Sequence, residues 1–230
     1  LCSGRLSQVE ALLRWRHSEL GLISPTEFIP LAERTGSISL LSHWVISEAV
    51  RQLASWRQLG WQLQVSINIS ADDLLGLDLV TTVSQLLTQH QLPGERLMFE
   101  ITESAVMREP QRALSQLHAL RELGVSLSVD DFGTGYSSLA QLKQLPVQEL
   151  KIDQSFVREL RRNSDDAVIV RSTIEMSHNL GLKVVAEGVE NDPCMALLSE
   201  WGCDSVQGFL VGRPLSAGAF SRWLQQRQTS

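Results

Sequence analysis

Apolar residues along the 230-residue chain recur in two rhythms, and the rhythms alternate. Short runs rich in β-branched residues fall at 7–13 (SQVEALL), 63–69 (LQVSINI), 96–101 (RLMFEI), 125–130 (VSLSVD), 147–153 (VQELKID), 183–187 (KVVAE) and 205–209 (SVQGF). They read as parallel strands covered on both faces. Between them lie helical periods. Over 38–59, Leu41, Trp44, Val45, Ala49, Leu53 and Trp56 share one face, and Gly60 stops the run. Residues 110–123 open at Pro110 and end before Gly124, and 165–180 end before Gly181. Further helices are expected at 26–35, 78–91, 192–201 and 216–227. No linker, low-complexity stretch or internal repeat interrupts the alternation, which predicts one α/β domain over 1–230 with a parallel sheet, open or closed. Seven strands are one short of an eight-stranded barrel, whose usual length is about 250 residues. The missing strand is expected at the N-terminal edge, ending at residues 1–2 or lying upstream of them.

The polar residues that break these runs fall at or near the C-terminal ends of the strands. Asn68 follows VSI, Glu100 follows LMF with Thr102 and Glu103 behind it, and Asp130 and Asp131 follow LSV. Lys151 and Asp153 bracket Ile152, Glu187 follows VVA, Gln207 follows SV, and Glu10 interrupts the first run. In closed α/β barrels that rim is where active sites are assembled from several strands. Taken singly, each residue has a plain structural explanation: a solvated charge for Glu10, Glu190 or Lys151, a cap for Asn68, a strand-to-turn boundary for Asp130–Asp131. Their coincidence at successive strand ends is what argues for a site.

Composition narrows the chemistry. A formal charge of −6 and a pI near 5.4 argue against duplex nucleic acid as a partner. No apolar run is long enough to span a membrane, and no basic-then-apolar leader opens the chain. Cys2, Cys194 and Cys203 include no CxxC pair, so a disulfide framework is not expected and a reducing compartment is the default. The five histidines stand at no zinc-ligand spacing. Five carboxylates at one rim (Glu10, Glu100, Asp130, Asp131, Glu187) would repel one another unless cations sit among them. One lysine is too little; two divalent ions suffice. Carboxylate and amide oxygens without His or Cys favour hard ions, Mg²⁺ or Mn²⁺. Adjacent aspartates suit a metal pair, an arrangement common in phosphoryl hydrolysis. Lys151 would then orient or deprotonate a water, or balance charge. The glycine-rich segment DFGTGYSS (131–138) reads as a lid over the site or as a plain turn.

With these residues assembled, the chain resembles the EAL family of cyclic-di-GMP phosphodiesterases over essentially its whole length. Glu10-Ala11-Leu12, continuing Leu13-Arg14-Trp15, matches the signature that names the family. PTEFIPLAERTG (25–36), SINIS (66–70), FEITES (99–104), DDFGTGYSSL (130–139), LKID (150–153), AEGVE (186–190) and QGFLVGRP (207–214) match in the same order. The resemblance implies a modified TIM barrel with one strand antiparallel to the rest. It implies hydrolysis of cyclic-di-GMP to pGpG with two Mg²⁺ or Mn²⁺ ions. Glu10, Asn68, Glu100 and Asp130 match the first metal set, and Asp130, Asp131 and Glu187 the second. Lys151 matches the lysine that holds the catalytic water, with Glu10 and Glu187 beside it in the catalytic set, and Glu103 matches the anchor of the lid loop 133–138. Leu13, Arg14, Asp153, Gln207, Glu190 and Pro214 match positions that line the nucleotide, Arg14 reaching a phosphate.

Three departures stand out. The family's opening strand, reading like YQPI, is absent, the usual His-Pro is His17-Ser18, and the usual QGY is Gln207-Gly208-Phe209. None removes a metal ligand. The resemblance further implies a homodimer, an upstream sensory or cyclase-like domain, and a cytoplasmic domain making no membrane contact of its own. Two other classes fit parts of the pattern. A catalytically silent cyclic-di-GMP receptor would keep the binding residues. An enolase-like lyase also sets acids and a lysine at strand ends, but Asp130–Asp131, Asn68 and the DFGTG segment suit it poorly.

Overall fold

The computed structural model describes residues 4, 6–76, 78–133 and 139–228. Strand β1 (Gln8–Glu10) is followed by a hairpin of β2 (Trp15–His17) and β3 (Gly21–Ile23), then α1 (Pro25–Arg34) and α2 (Ile38–Gln58). Next come β4 (Gln64–Ile69), α3 (Ala71–Leu74), α4 (Leu79–Gln89), β5 (Leu97–Thr102), α5 (Glu103–Met107) and α6 (Pro110–Glu122). The second half runs β6 (Ser126–Phe132), α7 (Leu139–Leu142), β7 (Glu149–Ile152), α8 (Gln154–Val157), α9 (Asp165–Asn179), β8 (Lys183–Ala186), α10 (Asp192–Glu200), β9 (Ser205–Val206) and α11 (Ala217–Gln228).

Seven strands form one curled sheet in the order β1-β4-β5-β6-β7-β8-β9, and every pairing in it is parallel. All seven strands expected from the sequence are present. The strand expected to run against the others is not among the described ones; the antiparallel pairing described is the β2–β3 hairpin, which stands outside the sheet. The expected barrel is therefore observed as a half-barrel in which β1 and β9 are the two ends.

Register separates the two faces of the sheet. Rows of paired residues on the outer face are apolar and buried: Ile67, Phe99 and Leu127 form one row, and Ile69, Ile101, Val129, Leu150 and Val184 another. They pack under the helices to make the main core, with Ile46, Val50, Leu53 and Trp56 of α2 contributing a large share. The sequence placed Trp44 on that face of α2, but Trp44 is 59 % exposed. The buried stripe instead uses Ile46 and Val50, neighbours of Val45, Ala49 and Leu53 on the helix cylinder.

The inner face is different. Glu10, Ser66, Met98 and Ser126 form one row, Asn68, Glu100, Ser128, Glu149 and Lys183 the next. The strands are covered on both faces, as expected, but the inner face is lined mainly by polar side chains. Barrel interiors are ordinarily packed with branched apolar residues.

Helix starts are fixed locally just past the strand ends. Ser70 caps α3 in a reciprocal capping box with Asp73, Thr102 caps α5, and Asp153 caps α8. Cys194 and Cys203 are buried free thiols. Among the described residues no helix is long and apolar enough to cross a membrane.

Candidate active site

The strand ends bring the rim residues to one place. Lys151, 1 % exposed, lies at the centre of the cluster. Its Nζ is 2.6 Å from Glu187 Oε1, 2.7 Å from Glu100 Oε2, 3.2 Å from Asp130 Oδ1 and 3.9 Å from Glu10 Oε2. Asn68 Nδ2 donates to Glu10 Oε1 at 2.7 Å, and Gln207 Nε2 donates to Glu10 Oε2 at 2.6 Å. Glu10 ends β1 and Gln207 follows β9, so this last bond joins the two ends of the sheet by side chains.

A bulge explains how two consecutive aspartates reach the same site. In a regular strand Asp130 and Asp131 would point to opposite faces. Between Val129 and Phe132 the pairing with β7 slips by one residue, and Asp131 takes φ 54°, a left-handed conformation that Asp tolerates better than most residues. The extra residue re-aims the strand. Asp130, Asp131 and Glu187 consequently offer oxygens that all lie within 4.8 Å of one another. Asp153 adds a further negative charge beside Asp131 and accepts from Ser155 N at 3.0 Å.

Burial and mutual repulsion set the protonation of the cluster. Burial pushes the Glu100 carboxyl up to about 8, against the lowering effect of Lys151. Glu187 is pushed up to about 7, again by burial and by Asp130, with Lys151 opposing. Asp131 is raised by burial, Asp130 and Asp153. For Lys151, burial alone would favour the neutral amine, but Glu100, Glu10, Asp130 and Glu187 outweigh it and hold the ammonium charged. One ammonium still faces five carboxylates, and Glu100 Oε1 is buried without a hydrogen-bond partner. An all-oxygen donor set with surplus negative charge and a buried orphan oxygen fits divalent cations of the hard type.

Tight backbone contacts hold the last two strand ends together. Val189 N donates to Gln207 O at 3.0 Å and Gln207 N to Ala186 O at 2.9 Å. A Cβ on Gly208 would lie 2.2 Å from Val189 O, so only glycine permits this approach. Gly188, at φ 70°, turns the chain after Glu187 against Gln154.

Other expected site residues make contacts of their own. Leu13 packs against the core, and the exposed Arg14 donates to Leu13 O at 2.6 Å. Glu190 pairs with Arg158 at 3.6 Å, and Pro214 is exposed. Glu103 opens α5 and lines a small crevice with Phe132, Gln141 and Leu142. Residues 134–138 of the expected lid lie outside the described residues. Sequence reasoning missed Arg158, and it missed the half-buried Gln8 and the buried Glu149 one pleat below the rim; the period-2 spacing from Glu10 and Lys151 was the available signal.

A sequence model described as the EAL domain matches residues 1–214. The bifunctional diguanylate cyclase/cyclic di-GMP phosphodiesterase MucR of Pseudomonas aeruginosa is 46% identical over 218 residues, 94% of this chain and 32% of that protein. The cyclic di-GMP phosphodiesterase PdeR of Escherichia coli is 40% identical over 223 residues, 97% of this chain and 34% of that protein. Among solved structures, the PaMucR phosphodiesterase in complex with c-di-GMP superposes with a TM-score of 0.88 at 46% identity, covering 93% of this chain and 87% of that one. This chain belongs to the EAL domain family. It spans about a third of the length of these two curated relatives.

Proposed function

We propose that this domain hydrolyses cyclic di-GMP to linear pGpG by cutting one phosphodiester of the ring. The observation that carries the proposal is the buried Lys151 ammonium ringed by Glu10, Glu100, Asp130 and Glu187 at the strand ends. The relatives named as cyclic di-GMP phosphodiesterases, and the neighbour solved with c-di-GMP bound, support the choice of substrate.

Glu10, Asn68, Glu100 and Asp130 would hold one Mg²⁺ or Mn²⁺, and Asp130, Asp131 and Glu187 a second. Such ions supply positive charge for the attacking and leaving oxygens of an in-line displacement at phosphorus. Lys151 holds the attacking water, orienting or deprotonating it, from its place among Glu10, Glu100, Asp130 and Glu187. Glu10, fixed by Asn68 and Gln207, and Glu187, beside Lys151, complete the catalytic set. Arg14 reaches a substrate phosphate, while Leu13, Asp153, Gln207, Glu190 and Pro214 line the nucleotide. Glu103 takes the lid-anchor role of the family position it matches. We read 1–230 as one cytoplasmic domain of a longer chain, acting as a homodimer under an upstream sensory or cyclase-like domain.

Chromatography of cyclic di-GMP incubated with the protein and Mg²⁺, Mn²⁺ or Ca²⁺ tests the assignment. pGpG is expected with Mg²⁺ or Mn²⁺ and is expected to vanish in Glu10→Ala. Near-wild-type hydrolysis by Glu10→Ala would overturn the residue assignment. Tight binding of the dinucleotide without pGpG would replace catalysis with a receptor role.

A further inference from the structure

One pleat below the rim lies a buried acid that the proposed reaction does not use. Glu149 opens β7 two residues before Lys151, is 5 % exposed, and faces the barrel interior in register with Ser128. Gln8 opens β1 two residues before Glu10 and faces the same interior. Strands β1 and β7 are not neighbours; β4, β5 and β6 lie between them in the sheet. Yet Gln8 Nε2 reaches across the interior, 3.5 Å from Glu149 Oε1 and 3.3 Å from Met98 Sδ.

We propose that Gln8 and Glu149 form a cross-barrel tie that positions Glu10 and Lys151 directly above them. The inference rests on the two-cation reading of the rim. In the described sheet β1 is bonded by its backbone to β4 alone, so its distance from β7 is not set by any ladder joining the two strands. Side chains must set it. At the rim Glu10 is gripped by Asn68 and Gln207. Below the rim the Gln8–Glu149 contact is the bond that spans from β1 to β7. Filling alone does not explain the pair, because Met98 occupies the same interior without a charge to bury. A buried carboxylate is costly unless its bonds achieve something an apolar side chain would not. The charged groups facing Glu149 are Lys151 and Lys183, and the Gln8 amide and Ser128 hydroxyl complete its surroundings. Gln8 and Glu149 are therefore positioning residues acting through Glu10 and Lys151, and they touch neither ion nor substrate.

The test is calorimetric titration of Mn²⁺ into nucleotide-free protein, comparing wild type with Glu149→Leu, Gln8→Leu, the double variant and Glu149→Gln. Each leucine variant is expected to weaken Mn²⁺ binding about tenfold, the range typical of groups that orient metal ligands. The double variant is expected to be no weaker than either single one, and Glu149→Gln, whose amide still pairs with Gln8, to stay within about twofold of wild type. Wild-type affinity in Glu149→Leu, strictly additive losses, or Glu149→Gln as weak as Glu149→Leu would overturn the tie. A second readout separates it from the metal reading: the same four variants unfolded by urea without metal should show coupling between positions 8 and 149. Coupling in urea with no Mn²⁺ binding by wild type would overturn the two-cation reading and leave the tie standing. No coupling in urea would overturn the tie whatever the metal does.

Discussion

The two faces of the one parallel sheet obey different rules. On the outer face, Ile67, Phe99, Leu127 and their neighbours are buried under helices and satisfied by contact alone. On the inner face, separated from them by the thickness of a strand, Lys151 is caged by carboxylates, and Ser66 Oγ and Glu100 Oε1 are buried without partners. Stability is concentrated on the first face and strain on the second. Polar groups left unsatisfied in an interior cost free energy unless water, an ion or a ligand pairs with them.

The largest effect that would test this division is on activity. Lys151→Ala is expected to lower cyclic di-GMP hydrolysis by about 1,000-fold or more, measured as pGpG formation under saturating Mn²⁺. The same variant leaves the inner carboxylates without their cation, so its thermal midpoint should rise with added Mn²⁺ by more than that of wild type.

On the outer face the expected loss is purely one of stability. Phe99→Ala should cost about 3–5 kcal/mol in urea unfolding, through lost burial and the cavity left behind. Ser66→Ala on the inner face should do the opposite, stabilising by about 1 kcal/mol because it removes a buried hydroxyl that has no partner. A loss of stability in Ser66→Ala would break the contrast between the faces.

A further expected effect is the pH dependence of the protein freed of metal by a chelator. Glu100 and Glu187 have their carboxyls raised to about 8 and about 7 by burial, above the 4.5 of an unperturbed glutamate. The folded state therefore binds protons more tightly than the unfolded one across that window. Their contribution is fully present below about pH 4.5 and is lost as pH rises through about 7 and then about 8. Thermal midpoints recorded in a chelator should fall between pH 6 and pH 8.5, and Mn²⁺ should flatten or reverse the trend. An apo midpoint that climbs over that range would contradict the assigned environment of both acids.

Much of this was legible in the sequence for a physical reason. Polar residues recurring at the ends of successive parallel strands outline a rim, so Asn68, Glu100, Asp130, Lys151 and Glu187 marked both the strand ends and the candidate site. Helices bounded by Pro110, Gly124 and Gly181 carried their own start and stop signals. The β2–β3 hairpin and the helices α3, α5, α7 and α8 are too short to show a period, and they went unread. Trp44 misled because an apolar side chain at helical spacing need not point inward. Gln8 and Glu149 were passed over because a polar residue opening a strand looks solvated until register shows which way it faces.

The bond from Gln207 to Glu10 carries one further consequence. Among the described residues, the two ends of the sheet meet through side chains of the candidate site and not through a backbone ladder. Whatever binds among these groups acts as a clasp, adding about 2.7 kcal/mol at a concentration one hundred times its dissociation constant. That energy falls on the least braced edge of the sheet, so occupancy by a ligand would be reported as the rigidity of the whole fold.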